Sequence, residues 1–180
     1  MRRRHTAPAL LLLCAAAAEA PPAEPSGLWP GPLQGPVPAT LTGATVLPTA
    51  QAAERFLAEH HALAIDASPA PAKPPAMAPG MPWLPPAHQD IPGSFWLPDA
   101  GRDVLQPERA GAYLALVARL TGNDFGRFVL VYCHPSCWAS WNAAKRLVQA
   151  GYAHVAWFPP GIEGWAQADL PLQRVAPTVY

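Results

Sequence analysis

The chain has 180 residues, no formal net charge, and only 13% of its residues are charged. That length accommodates one domain with a buried core, and the charge balance excludes nucleic-acid binding or a strongly acidic or basic docking surface as the main function. Proline occurs 25 times, far above the usual share of about 5%, which predicts long irregular connections.

The chain begins MRRRHTAPALLLLCAAAAEA. Arg2, Arg3 and Arg4 make a basic start, Pro8 to Ala18 is apolar but too short to span a bilayer, and Ala16 to Ala18 offers small residues at a cleavage spacing. Residues 1–18 therefore read as a secretory signal peptide, with Pro21 disfavouring a cut after Ala20. The mature protein is expected in the periplasm with no membrane attachment, since Leu13 stands before Cys14 where a lipoprotein needs a small residue. Cleavage removes Cys14 and leaves Cys133 and Cys137 in a compartment where thiols oxidise.

Residues 19–42 are Pro-rich and predicted to be a disordered leader. From Gly43 the pattern changes. Thr45 to Leu47 reads as a short strand, Thr49 as the N-cap of a helix with Ala53, Phe56 and Leu57 on one face, and Leu63 to Asp66 as a buried strand. Residues 68–90 are a second Pro-rich stretch, read as one long loop. Residues 91–94 turn into a short strand at Phe95 to Leu97. Pro107 suits the first turn of a helix running to Leu120. Phe128 to Tyr132 is apolar at every position, as a parallel strand covered on both faces must be. A helix is expected from Ser140 to Ala150, ended by Gly151, then a last strand from His154 to Phe158. GIEGW at 161–165 is read as a turn into a short terminal segment. Strands alternating with helices predict an α/β fold with a mostly parallel central sheet and helices on both faces, over residues 43–180.

The sequence FVLVYCHPSCW, residues 128–138, carries the candidate chemistry. In open α/β sheets ligands bind beyond the carboxyl ends of the strands, and Cys133 stands at such an end. Amides of the following loop and the positive end of the next helix would favour its thiolate. The cradle is assigned to His134, Pro135, Ser136, Trp138, Ala139 and Ser140. Cys137, four residues on, is placed to resolve a persulfide, sulfenic acid or mixed disulfide on Cys133. A structural disulfide and metal binding by the pair remain open. Asp66, Trp141, Lys145 and Arg146 are candidates for supporting the site. No cofactor and no metal site is assigned.

Several pieces, in order, resemble the rhodanese superfamily: Ile65 and Asp66 at a strand end, DIPGS at 90–94, FVLVYC ending at Cys133, NAAKRL at 142–147 and GIEGW at 161–165. The resemblance implies a rhodanese-like domain with Cys133 as nucleophile. The motif from Cys133 through Trp138 to Arg146 is similar to an exported family named for a cysteine-cysteine-tryptophan motif and for its association with catabolism dependent on pyrroloquinoline quinone (PQQ). That resemblance implies partners such as a quinoprotein dehydrogenase or a c-type cytochrome. The loop departs from thiosulfate-handling rhodaneses in lacking any arginine or lysine, and it is about two residues longer. The expected function is thus thiol redox or sulfur transfer in support of periplasmic alcohol oxidation. The alternatives are a non-catalytic binding module with a permanent disulfide and, further off, a copper chaperone.

Overall fold

The computed structural model describes residues 20–102 and 105–180, so the signal-peptide reading of residues 1–18 falls outside the described residues. The elements in chain order are β1 (Thr45–Val46), α1 (Ala50–His60), β2 (Leu63–Asp66), β3 (His88–Asp90), β4 (Phe95–Trp96), α2 (Pro107–Leu120), β5 (Phe128–Tyr132), α3 (Trp138–Gln149), β6 (His154–Phe158), α4 (Gly161–Gln167) and β7 (Gln173–Val175). Five strands form one sheet in the order β1-β6-β5-β2-β4, parallel throughout; β3 and β7 pair antiparallel in a separate ribbon. Among the described residues no helix is long and apolar enough to cross a membrane.

The uniformly apolar β5 sits at the centre of the sheet and serves two cores, because successive side chains point to opposite faces. Val129 and Val131 meet α2 and α3 through Tyr113, Leu116, Val117, Trp138, Trp141 and Leu147. Leu130 and Tyr132 face the other way, toward Ala50 and Ala53 of α1 and Trp165 of α4. Helices therefore cover both faces, as the sequence predicts. Thr49 caps α1 as expected, its hydroxyl accepting from Ala52 N at 3.2 Å.

Four features differ from expectation. Helix α3 begins at Trp138 rather than Ser140, and GIEGW forms the helix α4 rather than a turn. Inside the 68–90 stretch, His88–Asp90 forms strand β3, whose partner is the C-terminal β7. Most importantly, residues 20–42 of the leader are ordered rather than disordered. They form a strap fixed over α3 and the cysteine loop that precedes it. The side chain of Glu24 accepts from Thr42 N at 2.9 Å and from the hydroxyls of Thr40 and Thr42 at 3.1 Å, and Lys145 Nζ reaches Pro25 O at 2.9 Å. Leu41 is buried in the main core, with Trp29, Leu33 and Val37 packed against it. Proline has no amide hydrogen to satisfy, so a Pro-rich segment can be buried against a domain without joining a sheet.

Candidate functional site

Cys133 follows β5 directly, at the carboxyl edge of the sheet, and is joined to Cys137 by a disulfide with Cα atoms 6.3 Å apart. The loop between them turns at Ser136, whose φ of 54° is left-handed. Gly161, at the start of α4, has φ of 58°, and a Cβ there would collide with Cys133 O. Glycine at this position lets Ile162 N donate to Cys133 O at 2.8 Å, tying α4 to the cysteine loop.

The predicted open cradle is not what the structure presents. Cys133 is 0% exposed and Cys137 4% exposed, and Leu33 of the strap packs against the cluster they form with Ala139. Trp138 N, an amide of the first turn of α3 and a natural anion donor, donates instead to Leu33 O at 2.7 Å. Gly35 N donates to Ser136 O at 2.8 Å, Gln34 Nε2 to Pro135 O at 3.3 Å, and Gln34 makes a one-residue antiparallel bridge with Cys137. Trp29 stacks on Trp138 with ring centroids 4.3 Å apart and planes 13° from parallel. The strap thus occupies hydrogen-bonding groups that a ligand would use.

The other predicted residues have partners within the protein. His134 Nδ1 lies 2.7 Å from Glu163 Oε1 on α4, within hydrogen-bond distance, and both side chains are partly exposed. Ala139 is buried beside the disulfide, and its carbonyl approaches Gly101 so closely that any Cβ there would clash. Ser140 Oγ donates to Cys137 O at 3.2 Å and accepts from Trp157 Nε1 at 3.0 Å. Trp141 Nε1 donates to Thr40 O at 3.1 Å. Lys145 lies 4.6 Å from the Trp141 ring centre and binds the strap. Arg146 Nη2 donates to Arg102 O at 2.5 Å. Asn142, which the sequence reading left without a role, is fully buried and clamps the strap: Oδ1 accepts from Trp29 N at 2.8 Å, while Nδ2 donates to Trp29 O at 3.1 Å and Gly101 O at 2.9 Å.

Asp66 does not face the cysteines. It ends β2 and belongs to a second polar cluster with His88 and Asp90, residues on a stretch the sequence reading treated as loop and turn. His88 Nε2 lies 2.8 Å from Asp66 Oδ2 and 3.6 Å from Asp90 Oδ2. Burial alone would lower the His88 pKa, but the two carboxylates outweigh it and raise it to about 9. Burial, with the Asp66 charge adding to it, raises Asp90 against the opposing pull of His88 and Tyr132. Burial and the same two carboxylates push Tyr132 well above the ordinary phenol range.

A five-stranded parallel sheet, helices on both faces and a loop carrying the cysteine at the end of the central strand define an α/β protein of rhodanese-like fold. Comparison with solved structures finds the following likenesses. YnjE is similar over 73% of this chain and 31% of its own, at 17% identity and a TM-score of 0.50. Thiosulfate sulfurtransferase from Pseudomonas aeruginosa is similar over 76% of this chain and 22% of its own, at 21% identity and 0.45. SseA from Escherichia coli, a 3-mercaptopyruvate sulfotransferase with the "Rhodanese" fold, is similar over 75% of this chain and 54% of its own, at 20% identity and 0.45. The chain therefore spans between about a fifth and a half of the length of these proteins. No family model matches the chain, and no curated protein is similar enough to match.

Proposed function

We propose that the protein is an exported thiol-redox module in which Cys133 and Cys137 cycle between disulfide and dithiol. The observation that supports this most is the disulfide itself, made by the residue at the carboxyl end of the central strand and a second cysteine one loop turn away. In this reading an incoming thiolate attacks one sulfur of the pair. The S–S bond breaks as a mixed disulfide forms, the other sulfur leaves as a thiolate, and a second external thiol releases the reduced pair as the external thiols become a disulfide. Sulfur transfer would start from the reduced pair: the Cys133 thiolate takes the outer sulfur of a persulfide donor as the donor leaves as a thiolate, and Cys137 then attacks the inner sulfur, reforming the disulfide and releasing hydrosulfide. Neither proceeds with the strap seated, because both cysteines are buried and Leu33 packs against their cluster, so a partner or a fluctuation must lift it. The similarity of the CxxxCW motif to the PQQ-associated family supports a place beside a periplasmic quinoprotein dehydrogenase or c-type cytochrome.

The complete burial of Cys133 favours a second reading, a non-catalytic accessory module with a permanent disulfide. Equilibration of the full mature chain in defined dithiol buffers separates the two. A reduction potential above about −300 mV is expected for a working pair. A potential below that value overturns the redox reading in favour of the accessory module. Loss of growth on an alcohol in Cys133→Ala, with Cys137→Ala only slowed, is the expected cellular counterpart.

A further inference from the structure

The cluster of Asp66, His88 and Asp90 is arranged as a ligand set, and from its geometry we propose that it binds one divalent transition-metal cation, Zn2+ or Mn2+. The three side chains come from the end of β2 and the two ends of β3, and their candidate ligand atoms all lie within 4.8 Å of one another. One oxygen of each carboxylate is already committed. Asp66 Oδ1 accepts from Ser68 N at 2.7 Å and from Ser68 Oγ at 2.5 Å. Asp90 Oδ1 accepts from the Tyr132 hydroxyl, which also lies 2.7 Å from Ser94 Oγ and accepts from Ile91 N at 3.1 Å. The remaining oxygens, Oδ2 of both aspartates, converge on His88 Nε2.

This division, one oxygen held by the protein and one aimed inward, is how metal-ligating carboxylates are oriented. The inward atoms are poorly satisfied without an ion. Asp90 is 0% exposed, and its Oδ2 accepts no hydrogen bond. His88 Nε2 is close to Asp66 Oδ2, yet the contact is not directed along a ring N–H and leaves that nitrogen without a hydrogen-bond partner. Such buried unsatisfied groups are uncommon and point to a missing ligand. The imidazole is fixed in orientation by stacking on Trp96 at 3.9 Å, and Trp96 Nε1 is itself held by Ser68 O at 2.8 Å.

Ligand bonds of about 2.0–2.2 Å require neighbouring donors about 3.3 Å apart in a tetrahedral site. The 3.6 Å pair already matches, and the 2.8 Å pair must open by roughly 0.5 Å. One imidazole and two carboxylates suit Zn2+ or Mn2+ rather than a soft, thiolate-seeking ion. The site has a route in, because the His88 side chain is 29% exposed, which also leaves room for water as a further ligand. A divalent cation would displace the proton that the two carboxylates hold on His88 and balance their two negative charges in its place. The inference stands apart from the redox reading, since neither cysteine belongs to the cluster.

The test uses the full mature chain treated with EDTA and dialysed, with ZnCl2 and MnCl2 titrated separately by calorimetry and by thermal unfolding. Saturable binding of one equivalent of either ion is expected, with a raised Tm. Weakening by 100-fold or more is expected in Asp90→Asn and His88→Gln variants that retain the wild-type circular dichroism. Absence of saturable binding below 1 mM, or binding unchanged in both folded variants, overturns the proposal. If a variant fails to fold, histidine NMR of the wild type decides. Zn2+ must shift the His88 ring resonances first, and shifts confined to other histidines overturn the proposal equally.

Discussion

Substituting Trp29 by alanine should open the cysteine loop to reductant without unfolding the domain. Trp29 is half-buried and stacks on Trp138 over the loop. Removing the stacking costs about 1 kcal/mol beyond area burial, and the lost burial of a half-covered indole adds about 1 kcal/mol or more. The main-chain clamp by Asn142 survives in this variant, since it binds Trp29 through backbone atoms. A loss of roughly 2 kcal/mol from the seated strap raises the population of its open form about 30-fold. If reduction proceeds through that open form, as local openings commonly govern access to buried groups, the rate of disulfide reduction by dithiothreitol rises by a similar factor. Thiol appearance can be followed by alkylation and mass shift, with urea unfolding as the control on global stability. A reduction rate equal to wild type, in a variant whose amide exchange shows residues 24–42 loosened, would refute the view that the strap controls the sulfurs.

Three further outcomes follow from the same contacts. Gly161→Ala combines a left-handed backbone with a collision against Cys133 O and should lower unfolding stability by roughly 2 kcal/mol or more in urea titrations, whereas Gly80→Ala, also at positive φ but with nothing near its Cβ, should lose about 1 kcal/mol. Asn142→Ala leaves Trp29 N, Trp29 O and Gly101 O without their buried partner and should cost about 2–4 kcal/mol, seen as a lower Tm and as rapid proteolysis within residues 20–42. Acid should also loosen the strap. Burial alone would raise the Glu24 pKa, but the Thr42 amide, the hydroxyls of Thr40 and Thr42, and Lys145 outweigh it and hold it below 4.5. A depressed carboxyl stabilises the fold fully above its unfolded value of 4.5, and that contribution is lost as pH falls through the folded value. Amide exchange at Thr40 and Thr42, corrected for its intrinsic pH dependence, should therefore accelerate below pH 4.5 and not above it; acceleration equal to that of distant helical amides would count against this role.

How far the sequence reached depends on where the determining contacts lie. Strand β5 was legible because five apolar residues in a row have no stable home but a doubly covered strand, and helix α2 because its proline and apolar spacing are local signals. The pairing of Cys133 with Cys137 was legible as one possibility, because only four positions separate them. The strap was not legible from its own composition. Proline-rich chain lacks periodicity, and that says how a segment behaves alone, not whether a neighbouring surface will fix it. Nor was the His88 cluster, since His88 sits 22 positions beyond Asp66 and meets it only once β3, paired with β7, brings it to the end of β2. Yet one signal for the strap was present in α3. Asn142 lies among Trp138, Ala139, Trp141, Ala143 and Ala144, all buried, and a buried amide needs partners that an apolar sheet face does not provide. A polar residue in that setting implies a further layer of backbone over the helix. The long stretches not already committed to an element were the leader and the second Pro-rich stretch; the structure uses the leader, through Trp29, together with Gly101 from the segment that follows the second.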